Sequence, residues 1–494
     1  MFKQISFVTI FLLATFNAVL SQDLMKDYPG IPIVTYSYDI LKYYPNYNLE
    51  YHLRNMDSAG IFAIEVANMK SDYYTPLNLT NLKIIPDQAE GVTNNYINRY
   101  TEAHYSVWEA EGTDPADGDA SVYYNDTIAA INTEGNAVVT KTNMGVQDKK
   151  LIYGPYYLQE NTYCMVDDGT KIDYQADFII KKETIGQPPN QNDTMCVLQV
   201  TTSHKKVTSF DFDSVYVIKD TAIIYSDLAD TYKTFSLQYK LTTVPDSFLA
   251  KKIEMKQDSF YRGFTDYVEF RVIWKGNSNS VRLYVDKIIL SDGRGRFIKD
   301  SLTFLIAQQQ IYEQMDEFQN RVVGWMGIDE PQTIDNYEPI RIVQGIIDSK
   351  SNGAKGLWIA FGGGWSGRWD NYANPWGTYR LSYFEEFYKR VKKANIWCSK
   401  YLYDVSYPPS VDNYREKNIS AMADSNYRHF QNKENVFWGA AIQTGEYSSD
   451  TSWITMREID GTDLLYNINI ALLYGAKVIT PWLYFGRGPV QLDL

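Results

Sequence analysis

The chain has 494 residues, 45% of them hydrophobic and 22% charged, with a formal net charge of −13 and a pI near 5.0. This composition excludes a disordered, collagen-like or coiled-coil chain. The acidic balance argues against a nucleic-acid partner, because nucleic-acid binding needs a basic surface. The sequence also holds 41 Tyr and 11 Trp. Aromatic rings stack on sugar faces, so this excess is typical of glycan-binding proteins as well as of Tyr-rich strands.

The first 21 residues have the pattern of a secretory signal peptide. Lys3 gives a short basic start, an apolar run follows, and the small residues Val19 and Ser21 precede a cleavage point before Gln22. No later run of ~18 apolar residues follows, so the sequence predicts no membrane span. We therefore expect a secreted, periplasmic or cell-surface protein.

The three cysteines are too few for a disulfide scaffold. Cys164 and Cys196 lie in one region and are candidates to pair after export, whereas Cys398 fits a small buried hydrophobic residue. The four histidines are scattered without a metal-ligand spacing, which argues against a His-built zinc site.

The chain divides into three parts by its pattern of apolar residues. Before about residue 100, apolar strands alternate with a helical stretch, which predicts parallel βα units. The predicted strands here are Ile31–Tyr38, Gly60–Val66 and Leu82–Ile85. From residue 100 to 297 the chain is rich in β-branched and aromatic residues with frequent turn signals and no convincing helix, which predicts an all-β sandwich. Its predicted strands include Phe178–Ile180, Met195–Thr201, Val215–Ile218, Thr234–Leu241, Tyr267–Trp274 and Val281–Leu290.

From Asp300 the alternation of strands and helices returns. The predicted strands are Val322–Ile328, Gly356–Phe361, Ile396–Tyr403, Val436–Gln443 and Lys477–Leu483, and the predicted helices are Leu302–Phe318, Tyr337–Asp348, Tyr383–Lys393, Val411–Gln431 and Asp463–Tyr474.

Three strands before the β-rich block and five after it make the eight that close a (β/α)8 TIM barrel. We therefore expect an α/β fold: a TIM barrel with an all-β jelly-roll or sandwich domain inserted between strand three and helix three. The predicted domains are a signal peptide (1–21), the first barrel part (22–99), the insert (100–297) and the second barrel part (298–494), which we expect to be C-terminally incomplete. The alternative is an open doubly wound sheet with a separate β domain.

A barrel of this kind carries its chemistry at the carboxyl ends of its strands. Most predicted strands end near one carboxylate; these residues are Asp39, Glu65, Asp87, Asp329, Glu330, Asp404 and Glu446. Glu330 stands out because it directly follows a strand and is fixed by Pro331.

Residues 321–485 resemble the second half of a clan A glycoside hydrolase barrel, with β-galactosidase-like members the most similar. Three features carry the resemblance: Asp329-Glu330-Pro331 after strand four, the segment from Ala440 to Glu446 at strand seven, and the Ala-Leu-x-x-Gly-Ala-like run from Asn467 to Lys477 before a strand ending at Trp482. The resemblance implies Glu330 as the acid/base and Glu446 as the nucleophile of a retaining mechanism. It implies sugar binding by Asp329, Gln443, Trp482, Trp365, Tyr403, Asp39, Glu65 and Asp87.

The sequence departs from this family at two places. Asp329 stands where the family has Asn, and an ionised Asp accepts hydrogen bonds but cannot donate them. Gln443 competes with Glu446 for the nucleophile position, and an amide cannot form the glycosyl ester. An intact Glu446 therefore favours a retaining glycoside hydrolase, and Gln443 in its place favours a non-catalytic glycan-binding protein on a degenerate barrel.

The ends of the β-rich block resemble carbohydrate-binding jelly rolls, which often begin with Glu-Ala-Glu and end with a Val-Asp strand. Here the matching residues are Glu109, Glu111 and Asp286. The resemblance implies that these carboxylates hold a structural Ca²⁺, which prefers oxygen ligands. Catalysis requires no cofactor in this interpretation. The expected partner is a carbohydrate, and the sequence does not define the oligomeric state.

Overall fold

The computed structural model describes residues 31–37, 48–67, 74–87, 95–110, 122–123, 129–131, 137–140, 149–157, 174–205, 212–240, 247, 267–277, 279–316, 321–329, 331, 336–361, 387, 390–391, 393–400, 438–443, 447–448, 455–456 and 461–482. The predicted signal peptide lies outside these ranges. Within them, no helix is both long enough and apolar enough to cross a membrane.

The N-terminal part forms a three-stranded parallel sheet in the order β1-β2-β3. Its elements are β1 (Val34–Ser37), α1 (Leu49–Ser58), β2 (Ala63–Ala67), α2 (Tyr74–Asn78) and β3 (Lys83–Asp87). Helix α1 begins after Asn48, whose side chain accepts a hydrogen bond from the backbone N–H of Tyr51 and so satisfies one unpaired donor of the first turn. Leu49, Leu53 and Met56 lie on its buried face. The three predicted strands are found, with boundaries shifted by a few residues.

A short helix, α3 (Tyr96–Thr101), leads into two antiparallel sheets. The strands are β4 (Tyr105–Glu109), β5 (Val122–Tyr123), β6 (Ala129–Ile131), β7 (Val138–Thr140), β8 (Lys149–Tyr157), β9 (Tyr174–Thr184), β10 (Thr194–Lys205), β11 (Phe212–Ile224), β12 (Lys233–Tyr239), β13 (Tyr267–Trp274) and β14 (Val281–Ser291). One sheet has the order β11-β10-β13-β8-β5, and the other has the order β12-β9-β14-β7-β6 with β4 also paired to β14. Buried side chains from both sheets share one core, as in the edge-to-face contact of Phe178 with Phe270.

The C-terminal part forms a five-stranded parallel sheet in the order β15-β16-β17-β18-β21. Its elements are α4 (Gly293–Lys299), α5 (Ser301–Asp316), β15 (Gly324–Asp329), α6 (Tyr337–Ser351), β16 (Gly356–Phe361), β17 (Asn395–Lys400), β18 (Trp438–Gln443), the hairpin strands β19 (Tyr447–Ser448) and β20 (Thr455–Met456), α7 (Gly461–Leu473) and β21 (Val478–Trp482). The helix predicted for Val411–Gln431 lies outside the described residues, as does most of Tyr383–Lys393.

Two parallel bridges connect the outer edges of the two parallel sheets. Ile84 of β3 pairs with Val322, just before β15, and Ile33, just before β1, pairs with Ile479 of β21. Backbone hydrogen bonds accompany both bridges: Ile84 N–H donates to Arg321 O at 2.9 Å, and Ile479 N–H donates to Pro32 O at 3.1 Å. The eight parallel strands therefore have inter-strand contacts at both edges of each sheet.

The parallel strands bury apolar residues on both faces, as strands of parallel sheets covered by helices do. A small cluster on one face contains residues from six of these strands: Val34, Ala63, Ile85, Val323, Met326, Trp358, Ala360 and Val478. The opposite faces contribute Ile64, Ile84 and Ile359 to the main core together with the helices.

Two sequence expectations change in the structure. Cys196 is a free, buried thiol, so the expected pairing with Cys164 is wrong; its side chain fills the core of the β-rich part. Burial raises the pKa of this thiol to about 12. Helix α4 begins at Gly293, inside the block expected to contain strands alone, because Asp292 accepts a hydrogen bond from Gly295 N–H and caps it.

Candidate active site at the carboxyl ends of the parallel strands

Five of the eight predicted sugar-binding residues lie on described strands. Glu65 belongs to β2, Asp87 and Asp329 are the last residues of β3 and β15, and Gln443 and Trp482 are the last residues of β18 and β21. The predicted site residues Asp39, Glu330, Trp365, Tyr403 and Glu446 lie outside the described residues, so both carboxylates of the proposed catalytic pair remain predictions.

Gln443 and Trp482 are direct neighbours in the sheet. Strands β18 and β21 run parallel, and the Cα of Gln443 pairs with the Cα of Trp482 as the final pair of the ladder. Two residues earlier, Ala441 pairs with Thr480. Since residues i and i+2 of a strand share a face, positions 443 and 482 belong to the face on which Val478 packs in the small cluster.

Thr480 brings a polar group into this apolar face. The residue is 1% exposed, and its hydroxyl oxygen has no hydrogen-bond partner among the described residues. Buried hydroxyls are nearly always hydrogen-bonded in folded proteins, so such a group next to strand ends indicates a place for water or ligand. Sequence analysis missed Thr480 because a single Thr in an apolar strand carries no pattern of its own.

Glu65 is a fully buried carboxylate in the middle of β2. It is 0% exposed, and its Cα pairs with Tyr36 on β1 and Ile85 on β3. It shares its face with Ala63, two residues earlier, and hence with the small cluster. The sequence placed Glu65 near a strand end, whereas the structure ends β2 at Ala67. This position gives the interior face a carboxyl group below the strand tips.

Strand β15 contains a β-bulge directly before its last residue. Met326 pairs with Trp358 of β16, but the next pair is Asp329 with Ala360, so three steps along β15 match two along β16. Such bulges re-aim the residues that follow and are over-represented beside active sites. Here the bulge precedes the Asp329-Glu330-Pro331 segment that carries the predicted acid/base.

The opposite, amino-terminal ends of these strands carry basic residues. Lys83 begins β3, Arg321 lies before β15 and Lys355 lies before β16. Burial, with a further contribution from the Lys83 ammonium, lowers the pKa of Lys355 to about 8. Burial and then Arg321 lower the pKa of Lys83. Among the described residues, basic strand starts and acidic strand ends therefore lie at opposite ends of β3 and β15.

Two of the three predicted calcium ligands surround a lysine. The Lys287 ammonium lies 3.6 Å from a Glu109 carboxylate oxygen and 3.3 Å from an Asp286 oxygen. Burial raises the pKa of Glu109 despite the Lys287 charge, and the two carboxylates raise the pKa of Lys287 against its own burial. Glu111 lies outside the described residues. In the described part of the chain, no group of three or more His, Cys, Asp or Glu is arranged to hold a metal ion.

A second charged cluster is buried in the β-rich part. Glu269 and Arg271 are 2% and 4% exposed and form an ion pair of 2.6 Å along β13. The Thr201 hydroxyl donates to the same Glu269 oxygen at 3.1 Å. Because each charge is matched within the sheet, this cluster fits a structural role.

No protein-family model matches the chain, and no curated protein matches its sequence. Solved structures that match the chain include a carbohydrate-binding module CBM36 in complex with calcium and xylotriose, with 11% identity over 38% of this chain and 99% of that one, at a TM-score of 0.19. The CBM22-1–GH10 modules of xylanase 10B from Clostridium thermocellum match with 9% identity over 78% of this chain and 80% of theirs, at 0.20. A family two carbohydrate esterase from Cellvibrio japonicus matches with 10% identity over 77% and 89%, at 0.18. At these TM-scores, the function has to be argued from the residues themselves.

Proposed function

We propose that the protein is a secreted glycoside hydrolase whose eight parallel strands close into a (β/α)8 barrel, with the antiparallel sheets as a domain inserted after strand three. Two bridges, Ile84–Val322 and Ile33–Ile479, carry this proposal. They join the three-stranded sheet to the five-stranded sheet at both of its lateral edges. In a closed barrel all carboxyl ends lie at one mouth. The ends of β3, β15, β18 and β21 would then bring acidic, amide and aromatic residues together.

The proposed reaction is hydrolysis of a glycosidic bond with retention of configuration. Glu330 protonates the leaving oxygen while the Glu446 carboxylate attacks the anomeric carbon, and Glu330 then deprotonates the water that releases the sugar. Ionised Glu446 raises the pKa of Glu330 and keeps it protonated for the first step. Sugar binding falls to the aromatic, amide and acidic residues at the mouth: Asp39, Glu65, Asp87, Asp329, Trp365, Tyr403, Gln443 and Trp482.

The second candidate function is glycan binding without catalysis. The position of Gln443 favours it: this amide is the last residue of β18 and pairs directly with Trp482 of β21. Should Gln443 occupy the nucleophile position, no glycosyl ester can form. The barrel would then bind a sugar with the same aromatic and acidic residues.

Paired variants separate the two functions. Wild-type protein and Glu330→Gln, Glu446→Gln and Gln443→Ala variants are assayed on aryl glycosides and on plant and microbial polysaccharides, with glycan binding measured in parallel. If the protein is a hydrolase, Glu446→Gln should abolish turnover and keep glycan binding. Glu330→Gln should then lower the turnover rate most for substrates with poor leaving groups. Glu313→Gln is the control, because this carboxylate is exposed on α5.

Two results would change the assignment. A wild-type protein that binds glycans and loses binding in Gln443→Ala, with no turnover of any substrate, identifies the binding protein. Full turnover in Glu446→Gln removes Glu446 as the nucleophile.

The calcium site at Glu109, Glu111 and Asp286 is a separate proposal. Because the Lys287 ammonium already lies beside both described carboxylates, Ca²⁺ binding requires this lysine to move away. Thermal unfolding with and without millimolar Ca²⁺ tests the site. A calcium-dependent rise in Tm that is lost in Asp286→Asn supports it, and an unchanged Tm removes it.

A further inference from the structure

Two side chains of helix α3 form hydrogen bonds with one peptide group of the β15 bulge, one with its carbonyl oxygen and one with its N–H. The Asn98 side-chain amide donates to the carbonyl oxygen of Gly327 at 3.1 Å. The backbone N–H of Ile328 donates to the Thr101 hydroxyl at 2.9 Å. These two backbone groups belong to the same peptide bond, so side chains three residues apart on α3 fix the orientation of that peptide plane.

Both side chains are themselves held in place. Asn98 and Thr101 are 4% and 0% exposed. The Thr101 hydroxyl donates to the Asn98 carbonyl oxygen at 2.9 Å, which directs its lone pair towards Ile328. Helix α3 is anchored to α5, because the Ile97 N–H donates to the Gln314 side-chain oxygen at 2.8 Å. The contact to the bulge is therefore buried, and hydrogen bonds hold both of its side chains and the helix that carries them.

Gly327 allows this close approach of helix and strand. A Cβ at this position would lie 2.6 Å from Ile359 Cδ1 and 3.3 Å from the Thr101 hydroxyl oxygen. A side chain here would require the Ile359 δ-methyl group and the Thr101 side chain to shift. The glycine and the two polar residues of α3 thus form one unit around the bulge.

The bulge determines to which face of the sheet each residue after Met326 belongs. A shift of one residue in a strand moves every following side chain to the opposite face. Without the extra residue between Met326 and Asp329, position 328 and not 329 would pair with Ala360. Position 329 and the acidic residue after it would then each belong to the opposite face of the strand.

We propose that Asn98 and Thr101 are positioning residues for the Asp329–Glu330 segment, because they hold the Gly327–Ile328 peptide in the orientation that sets its register. This inference rests on the proposed hydrolase function for its effect on turnover. The structural part of the inference is that these two side chains hold the bulge peptide, which we call the clamp. This part does not depend on the hydrolase function and is measured separately by hydrogen exchange.

The central variant is Thr101→Val, which keeps the shape of the side chain but removes the acceptor for Ile328. Thr80→Val is the matched control: Thr80 is buried and donates to the carbonyl three residues earlier, Leu77 O at 2.8 Å, as Thr101 does. We expect Thr101→Val to lower kcat roughly 10- to 100-fold with little change in KM, because misplacing a reacting group by about 1 Å costs about that much. The alkaline limb of the pH profile, where Glu330 loses the proton it must donate, shifts with it, and Thr101→Ser restores both.

Hydrogen exchange of the peptide covering residues 324–331 gives a readout that does not need activity. Thr101→Val should speed exchange in this peptide, and Thr80→Val should leave it unchanged. If the wild-type protein hydrolyses no substrate, the hydrolase proposal fails, and the exchange result alone supports or overturns the clamp. Should Thr101→Val not fold, Asn98→Ser takes its place, since it removes only the donor to Gly327. A folded variant with wild-type kcat, pH profile and exchange overturns the inference.

Discussion

The antiparallel and parallel regions bury their strands in different ways. Along β9 of the antiparallel region, Tyr174, Ala176, Phe178 and Ile180 are buried while the residues between them are partly exposed. Along β16 of the parallel region, every residue from Leu357 to Phe361 is buried. One face of β9 is therefore partly exposed to water, whereas β16 is covered on both sides.

The two regions also place their charges differently. The antiparallel region matches charges within its sheets, as in the buried Glu269–Arg271 pair. The parallel region has the buried Glu65 inside β2 and acidic residues at the ends of β3 and β15. Paired charges in a sheet support a scaffold, while carboxylates at strand ends are available for chemistry. This contrast is why the proposed reaction is assigned to the parallel region.

The largest expected effect comes from emptying either core. Trp358→Ala in the small cluster and Phe178→Ala between the antiparallel sheets should each lower the free energy of unfolding by about 3–5 kcal/mol, since both side chains are fully buried. Urea unfolding followed by fluorescence and far-UV circular dichroism measures both. Leu302→Ala is the control, because Leu302 is 79% exposed on α5. A loss for Trp358→Ala no larger than for this control would contradict the packed interior cluster.

Breaking the buried ion pair should cost nearly as much. Arg271→Met leaves the Glu269 carboxylate buried without its guanidinium, which we expect to lower stability by roughly 3–5 kcal/mol. Glu109→Gln removes a partly exposed pair with Lys287, and its expected cost is below about 1 kcal/mol. Equal losses of stability in the two variants would show that burial does not decide how much each ion pair contributes to the free energy of unfolding.

The junction between the regions is sensitive to a single methyl group. A Cβ on Gly295 would lie 2.0 Å from the backbone oxygen of His104, which also accepts a hydrogen bond from Asp292 N–H. We expect Gly295→Ala to lower stability by about 1–3 kcal/mol, as overpacking does. In Gly293→Ala the nearest atom is Arg296 Nη2 at 3.9 Å, so little change should follow. Thermal unfolding compares the two variants. Similar Tm values would contradict a close approach of Gly295 to the His104 backbone oxygen.

His104 at the same junction should make stability depend on pH. Its ring packs edge-on against Tyr174, and burial lowers its pKa, with Asp292 raising it and Arg294 lowering it further. The unfolded chain therefore binds a proton that the folded protein excludes. Stability should fall by up to about 1.4 kcal/mol per pH unit below the ordinary value of 6.5 and be unaffected above it.

The control for this pH effect is His104→Phe, which keeps a ring against Tyr174 but removes the titrating group. Urea unfolding at pH 5, 6, 7 and 8 should show a shallower slope below pH 6.5 in the variant than in the wild-type protein. Identical slopes would mean that carboxylates alone cause the acid sensitivity.

The sequence predicted most strands because each region has its own periodicity. β-Branched and aromatic residues between turn signals identified Tyr267–Trp274 and Val281–Leu290, and an apolar run identified Gly356–Phe361 with the bounds that the structure has. It did not predict the short helices α2, α3 and α4, of which α3 and α4 begin after the side-chain caps Asn95 and Asp292. It also proposed a Cys164–Cys196 pair from proximity in sequence, although Cys196 is a free thiol in a packed core.

The sequence by itself determined the alternation of parallel and antiparallel segments, the acidic residues after the strands and the high aromatic content, since these depend on local composition and period. Tertiary structure alone decided the edge bridges, the pairing of Gln443 with Trp482 and the bulge in β15. Asn98 and Thr101 lie more than 220 residues before the peptide that they hold, at separations of 229 and 227. Such contacts leave no local pattern, because a hydrogen bond between distant segments depends on how the whole chain packs and not on the spacing of neighbouring residues.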